Sequence, residues 1–280
     1  MIGIVIFFLV AVHLALGMLM SLLPISQRLL GERFFRFNAA ISLVLLAVAE
    51  LVYGSAEKTR LSHEKALYWK AQIDGANPWL WGCGTLVALY LLSLPYRKRR
   101  VSRILLIGAC FSGAVSLVLL ASGLQSPAIP QSLGRLVFTL DFFLSALALG
   151  SVVICMILGH WYLIDPGMSV RHLKVMAAIF IAVVSARSLL GGYTSFLVWR
   201  DLAASGTDLL SNFVLITLVF YGQRVLFGLV APLTLSWMIW QTVKIRSTQS
   251  ATGILYVAVV FVLFGELLSH YLLVSTGYPL

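Results

Sequence analysis

The sequence predicts an all-α integral membrane protein with eight transmembrane helices. Of its 280 residues, 60% are hydrophobic and only 11% are charged, whereas soluble domains carry about 25% charged residues. Several apolar runs reach the roughly 20 residues that a helix needs to cross a hydrocarbon core of about 30 Å. Because these runs take up nearly the whole chain, we expect a single membrane domain, 1–280, without a soluble domain.

The eight spans follow from the apolar runs and the breaks between them. The first run lacks a basic start and a small-residue cleavage motif, so we interpret it as a retained span that ends before Pro24. We place the spans at Ile2–Leu23, Phe37–Tyr53, Pro78–Leu94, Ile104–Leu124, Leu136–Leu158, His172–Gly192, Phe220–Val243 and Thr252–Leu273. The loop at 126–130 divides the chain into two possible four-helix halves, 1–125 and 131–280.

Two segments extend beyond these spans. From Leu209 to Val243 no strong helix breaker occurs until Pro232, and 35 helical residues would measure about 52 Å. Residues 213–220 therefore either project as an apolar helix end that needs a protein partner, or lie along the membrane surface. Segment 62–72 is predicted to form a short surface helix with Tyr68 and Trp69 in the interface.

The basic residues of the loops predict the orientation. The first, third, fifth and seventh loops are basic, whereas the second, fourth and sixth are mixed or nearly neutral. By the positive-inside rule the odd loops face the cytoplasm, and both termini lie on the outer, periplasmic side of a bacterial cytoplasmic (inner) membrane. The net charge of +10 is thereby explained by loops and gives no indication of nucleic-acid binding.

Seven ionisable residues fall inside the predicted spans, where each costs at least ~2.5 kcal/mol by insertion scales. Counting from the span ends puts them in the outer half of the bilayer, with His13 the deepest and about one turn deeper than His270. Glu266 and His270 are four residues apart and share a helix face. The seven are His13, Glu50, Asp141, Arg187, Arg224, Glu266 and His270.

Two interpretations of this layer stay open. The charges can pair and hold helices together, as Arg187 with Asp141 and Arg224 with Glu266, or they can line a functional cavity.

The remaining histidines are assigned outside the layer, with His160 as an interfacial cap and with His63 and His172 solvated. Single cysteines in apolar helices are interpreted as packing residues, and the absence of C-x-x-C excludes covalent haem c and iron–sulfur ligation within this chain. No metal site is predicted. The cysteines are Cys83, Cys110 and Cys155.

A functional cavity of this kind suits quinone chemistry. A quinone site needs hydrogen-bond donors, and also a histidine or a buried carboxylate that exchanges the coupled protons. The seven residues of the layer can supply these groups. The quinone would be menaquinone or ubiquinone, and electrons would be exchanged with an external partner. On its own the chain would be non-catalytic, or it would be the quinone-reactive subunit of an oxidoreductase complex.

The last span contains Gly265-Glu266-Leu267-Leu268-Ser269-His270-Tyr271-Leu272. With eight spans and both ends outside, this segment resembles the NrfD/DmsC/PsrC type of polytopic quinol-interacting membrane anchors. That family often has a Gly-Glu pair followed by a basic residue, commonly arginine where this chain has His270, and then an aromatic residue. The resemblance implies an outer-side quinone site beside an iron–sulfur subunit, normally without haem.

Three other functions are compatible with the same residues. A b-type haem subunit would use His13 and His270 as the two iron ligands. For the quinone-linked function, the external partner would be an iron–sulfur protein or a cytochrome. A proton or solute transporter would use the charges as a conduction path. A non-catalytic assembly subunit would use them only to pair helices.

Overall fold

The computed structural model describes residues 2–57, 64–96, 99–122, 124, 131–164, 169–204 and 212–279. These residues form nine helices and two shorter helical segments, and none of them lies in a strand. The helices are α1 (Ile2–Leu22), α2 (Gln27–Glu57), α3 (Glu64–Ser93), α4 (Arg99–Ser122), α5 (Gln131–Ile164), α6 (Arg171–Ala204), α7 (Asn212–Gln223), α8 (Ala231–Lys244) and α9 (Thr248–Thr276). A 3-10 turn, Leu94–Tyr96, follows α3, and a π-helical segment, Arg224–Val230, joins α7 to α8.

Eight helical units in the described part of the chain are long and apolar enough to cross a membrane. They are α1 to α6, the continuous unit α7–π–α8, and α9, which confirms the predicted all-α fold and its eight candidate spans. Successive spans alternate in direction, so both termini lie at the same end of the bundle, which we call the terminal end. The opposite end, which carries Arg28, Arg99, Arg171 and Arg246, is the basic end.

α1 is the central helix of the bundle, because it packs against α2, α4, α5 and α9. Its contact with α5 is a backbone contact at which Gly17 meets Gly150, and a Cβ atom added to either glycine would overlap the other helix. Small residues allow such close approach between membrane helices. The buried residues Cys83, Cys110 and Cys155 have free thiols, as expected for packing residues.

Several helices extend past the predicted spans, because the helical backbone continues beyond the length that hydropathy alone requires. α6 reaches Ala204, and α3 begins at Glu64. The prediction of a separate surface helix at 62–72 is therefore wrong for its described part, which is the first portion of α3. Residues 62 and 63 lie outside the described residues, as does the proposed boundary at 126–130, so the division into 1–125 and 131–280 stays a prediction.

The seventh unit is helical without interruption from Asn212 to Lys244, and whether 213–220 projects from the membrane or lies along its surface stays a prediction. α7 runs directly into the π-helical segment, and the α7 rings of Phe220 and Tyr221 pack on Tyr271 of α9 and Trp199 of α6. The apolar end of this unit therefore continues the helix toward the terminal end. Residues 209–211 lie outside the described residues.

A buried ion network and a histidine pair

Arg187 on α6 is the centre of a buried ion network. Its Nη1 forms an ion pair with Asp141 Oδ1 on α5, and its Nη2 lies 2.9 Å from Glu266 Oε2 on α9. Its Nε donates to Glu266 Oε1 at 3.2 Å. The guanidinium therefore binds Glu266 through two parallel hydrogen bonds, the strongest geometry for this pair of groups. One arginine thus joins three helices.

Glu266 is the acceptor that completes the network. Besides Arg187, it accepts hydrogen bonds from Ser145 Oγ on α5, 2.7 Å from Oε2, and from Arg224 Nη2, 3.3 Å from Oε1. A carboxylate offers about four lone-pair positions, and these contacts fill all four. The predicted pairs Arg187–Asp141 and Arg224–Glu266 are both confirmed, and Glu266 links them into one cluster.

The network is electrically balanced and buried. Its two arginines and two carboxylates have opposite charges in equal number, and all four residues are at most 5% exposed. Isolated charges at this depth would be expensive, whereas a paired and hydrogen-bonded set offsets much of the desolvation cost. Asp141 and Glu266 each lie about ten residues, or roughly 15 Å, from the terminal-end limits of α5 and α9.

Arg187 is close to the middle of α6, because the helix continues to Ala204, past the predicted end of the span at Gly192. The network as a whole still lies nearer the terminal end, as Asp141, Arg224 and Glu266 show.

The π-helical segment positions Arg224, and Pro232 explains why the segment occurs there. Proline has no N–H to donate to the carbonyl four residues earlier, which is that of Gly228. Arg224 Nη1 donates to this carbonyl at 3.2 Å, and the Ala231 N–H bonds to Leu226 O in the wider register. π-helical turns of this kind are frequent at functional sites. Sequence reasoning noted Pro232 but did not predict the segment.

Two glycines let α9 approach the π-helical segment. A Cβ atom on Gly228 would lie 2.9 Å from the Cα of Gly265, and it would also overlap the Arg224 side chain. The backbones therefore touch one residue before Glu266, and this contact sets the reach of Arg224 to the carboxylate. The Gly-Glu pair of the last span thus has a direct packing reason.

His13 and His270 form a second buried feature next to the network. Their rings are in edge contact with centroids 4.7 Å apart, and Phe142 packs on His13 at 4.8 Å. Each ring bonds a carbonyl one turn earlier in its own helix, and α1 and α9 run in opposite directions, so the two side chains point toward each other along the bundle. The rings therefore meet although His13 lies 11 residues from the terminal-end limit of α1 and His270 lies 6 residues from that of α9, so that His13 is the deeper residue, as predicted.

The hydrogen bonds of the two rings fix their chemistry. His13 Nδ1 lies 2.6 Å from Leu9 O, and His270 Nδ1 lies 2.7 Å from Glu266 O. Because a carbonyl oxygen only accepts, each Nδ1 carries a hydrogen, and in the neutral ring Nε2 keeps a lone pair. His13 Nε2 is fully buried, and it has no hydrogen-bond partner among the described residues. This atom is thus an enclosed proton acceptor.

A haem between these two histidines does not fit this arrangement. Two imidazole nitrogens on opposite sides of one iron, each about 2 Å from it, hold the ring centroids about 6 Å apart. The centroids are 4.7 Å apart in a T-shaped contact, which leaves no gap for a porphyrin plane between the rings. In the described part of the chain there is also no group of three or more His, Cys, Asp or Glu that could hold a metal ion.

Glu50 is not brought into the network. It lies on α2, half-buried, where the Trp81 indole of α3 donates to it. The Asn77 amide, in the orientation that satisfies both of its groups, donates to Glu50 Oε1 at 3.2 Å. Glu50 therefore joins α2 to α3, and six of the seven predicted residues meet at or beside one site.

The other histidines have their own partners. His160 is exposed, and its Nδ1 lies 3.4 Å from Tyr256 Oη, as an interfacial group would. The prediction that His172 is solvated is wrong, because it is buried and its Nε2 accepts the Ser26 N–H at 3.3 Å, at the start of α2. His63 lies outside the described residues.

Several members of the site were missed by sequence reasoning. Ser145 and Ser269 bind Glu266 and Arg187, and Phe142 packs on the histidines. Ser145 lies one helical turn after Asp141, and Ser269 lies three residues after Glu266, so helical spacing from the predicted acids would have found both.

Comparisons with protein-family models, with curated proteins and with solved structures gave no match.

Proposed function

We propose that this chain is the quinone-reactive membrane subunit of a respiratory redox complex in a bacterial inner membrane, with the terminal end outside. The observation that carries the proposal is the convergence of an enclosed proton acceptor, His13 Nε2, with a charge-balanced ion network in one half of the bundle. The basic loops at the other end support this orientation through the positive-inside rule.

In this proposal the histidine pair and the ion network have different roles. Oxidation of a quinol releases two electrons and two protons. In this proposal, His13 Nε2 accepts a hydrogen bond from the quinol hydroxyl and takes each proton in turn, and His270 passes it toward the terminal end. The electrons go to an external iron–sulfur or cytochrome partner. Quinone reduction would use the same steps in reverse.

The ion network holds this pair in place. His270 and Glu266 are one turn apart on α9, and Glu266 is fixed by α5, α6 and the π-helical segment. A neutral network lets His13 bind a proton without facing a net positive cluster. A quinone ring reaches Nε2 only after Phe142 or His270 rotates, because both rings pack on His13.

Quinone titration of the purified protein in nanodiscs tests this function. Decylubiquinone and a short-chain menaquinone analogue are added, and thermal unfolding is followed. Binding raises stability by ~2.7 kcal/mol at a hundredfold excess over Kd. We expect His13→Gln to lose most of this stabilisation, and His160→Gln, an exposed histidine outside the site, to keep it. Equal stabilisation of both variants, or no saturable stabilisation of the wild type, would contradict the proposal.

A second candidate, proton conduction without a quinone, is favoured by the direct ring contact of His13 with His270. The same buried groups would then pass protons along the bundle. Proteoliposomes containing a pH-sensitive dye and a potassium diffusion potential distinguish the two. If the protein conducts protons, the pH of the vesicle lumen changes without quinone, and His13→Gln abolishes this change. If the protein is a quinone-reactive subunit, the lumen pH stays constant without quinone.

A further inference from the structure

The basic end of the bundle contains two adjoining cavities that the ion network does not use. The larger, about 800 Å³, lies between the start of α2, the 3-10 turn after α3, the start of α4 and the end of α5. The smaller, about 290 Å³, lies beside it against the α1–α2 connection. Gln27, Arg28 and Arg99 line both, so the two volumes share a wall.

The polar lining of these cavities is strongly positive. Arginines from two separate parts of the chain converge on it, and Glu32 is the one carboxylate among the residues that line the two cavities. A positive-inside bias requires only basic loops, whereas here the basic side chains surround a concave space. The first residue of α4 is Arg99, so the positive end of that helix dipole adds to the same potential. The arginines are Arg28, Arg33, Arg99, Arg100 and Arg103.

Most of the other lining residues are apolar, and they extend to the exposed surface of the bundle. Leu30, Leu94 and the Trp161 ring form the inner wall of the larger cavity, and Ile164 at its edge is 70% exposed. A ligand that fits this lining has an anionic head among the arginines and an apolar part that leaves along Ile164. A soluble anion would satisfy only the first half of that description.

The local backbone keeps the cavity open. Gly31 has a φ of 73°, a conformation that residues with a side chain rarely adopt, and it interrupts α2 after its first turn. The first turn carries Gln27 and Arg28 away from the line of the helix. Gln27 Nε2 donates to Tyr90 Oη at 3.0 Å, which fixes this turn to α3.

The two adjoining cavities together form one groove. We propose that this groove binds the phosphate of an anionic phospholipid headgroup. Basic pockets between membrane helices on the cytoplasmic side are suited to such headgroups, and guanidinium forks match phosphate oxygens. The acyl chains leave past Ile164, and Trp161 lies against the bound lipid.

Trp161 provides the readout. The protein is placed in phosphatidylcholine nanodiscs that contain either dibromo-phosphatidylglycerol or, in a matched set, dibromo-phosphatidylcholine. Bromine quenches tryptophan fluorescence, and the part of the quenching that is lost in Trp161→Phe reports lipid in the groove. We expect the anionic lipid to quench at much lower mole fraction than the zwitterionic one. Equal quenching by both lipids would overturn the proposal.

Arginine variants test which residues bind the headgroup. An arginine near an anionic surface contributes about 1 kcal/mol, a factor of about five, so Arg28→Gln with Arg99→Gln should weaken anionic binding about 25-fold. The matched control, Arg171→Gln with Arg246→Gln, removes the same charge at the same end outside the groove and should change little. Equal weakening in both double variants would mean a diffuse surface effect and would overturn the site.

A soluble source of phosphate is tested separately. Inorganic phosphate and pyrophosphate are titrated into nanodiscs that already contain the anionic brominated lipid. The lipid proposal predicts that neither anion relieves the Trp161 quenching at millimolar concentration. Relief by a soluble anion that depends on Arg28 and Arg99 would assign the groove to a free phosphate ligand and overturn the lipid assignment.

Discussion

Replacing Glu266 by glutamine removes the one group that binds both arginines of the network. The side chain keeps its size, but two of the four accepted hydrogen bonds then face an amide N–H₂ group that cannot accept them. The charge of the buried cluster rises from zero to +1. Losing one partner of a buried ion pair costs about 3–5 kcal/mol, whereas membrane hydrogen bonds average only ~0.6 kcal/mol. The charge imbalance should therefore dominate.

A second substitution restores the balance. In Glu266→Gln with Arg224→Gln, the remaining pair Asp141–Arg187 is again neutral. We expect the double variant to lose less stability than the two single variants lose together. The difference should be ~0.5–3 kcal/mol, the range of interaction energies for residues in direct contact. The free energy of unfolding is measured by titrating sodium dodecyl sulfate into mixed micelles and following tryptophan fluorescence.

The control and the refuting outcomes are defined by the same titration. Arg171→Gln removes one exposed charge at the basic end, 16 residues or about 24 Å along α6 from Arg187, and should stay within about 0.5 kcal/mol of the wild type. The reasoning is refuted if Glu266→Gln changes stability no more than this control. Strict additivity of Glu266→Gln and Arg224→Gln would equally show that charge balance does not govern the cluster.

Further predictions concern the close helix contacts and one thiol. Gly265→Ala should destabilise the protein by about 1–3 kcal/mol through overpacking against the π-helical segment, whereas Gly253→Ala on the same helix, with open space around it, should be neutral or gain up to about 1 kcal/mol. Gly150→Ala should destabilise the protein as Gly265→Ala does, whereas Gly134→Ala should be as neutral as Gly253→Ala. The same unfolding titration measures both. Cys155, fully buried, should react with a membrane-permeant maleimide only after unfolding, and rapid labelling of the folded protein by mass spectrometry would contradict its packing role.

The fold could be predicted because its signals are local. Apolar runs separated by polar or basic loops require eight helices, whatever their packing. The lengths of the helices were not predictable in the same way. Hydropathy reports the part inside the hydrocarbon, whereas α6 and α3 continue as helices beyond it. Arg187 is therefore further from the end of its helix than from the end of its predicted span.

The site could be predicted in part because opposite charges in a membrane must find each other. Sign and approximate depth were enough to pair Arg187 with Asp141 and Arg224 with Glu266. The link between the two pairs depends on tertiary contacts that one sequence does not encode locally. The meeting of Gly228 with Gly265 and the rotation of Arg224 by the π-helical segment are such contacts, and so is the touching of His13 and His270.

The claim at the centre of this account is that His13 exchanges protons with a bound quinone. Redox-induced infrared difference spectra of the nanodisc protein with the menaquinone analogue measure this directly. We predict imidazole ring bands that change with quinone reduction in the wild type and in His160→Gln, and that disappear in His13→Gln. The same imidazole bands in His13→Gln as in the wild type would contradict the account.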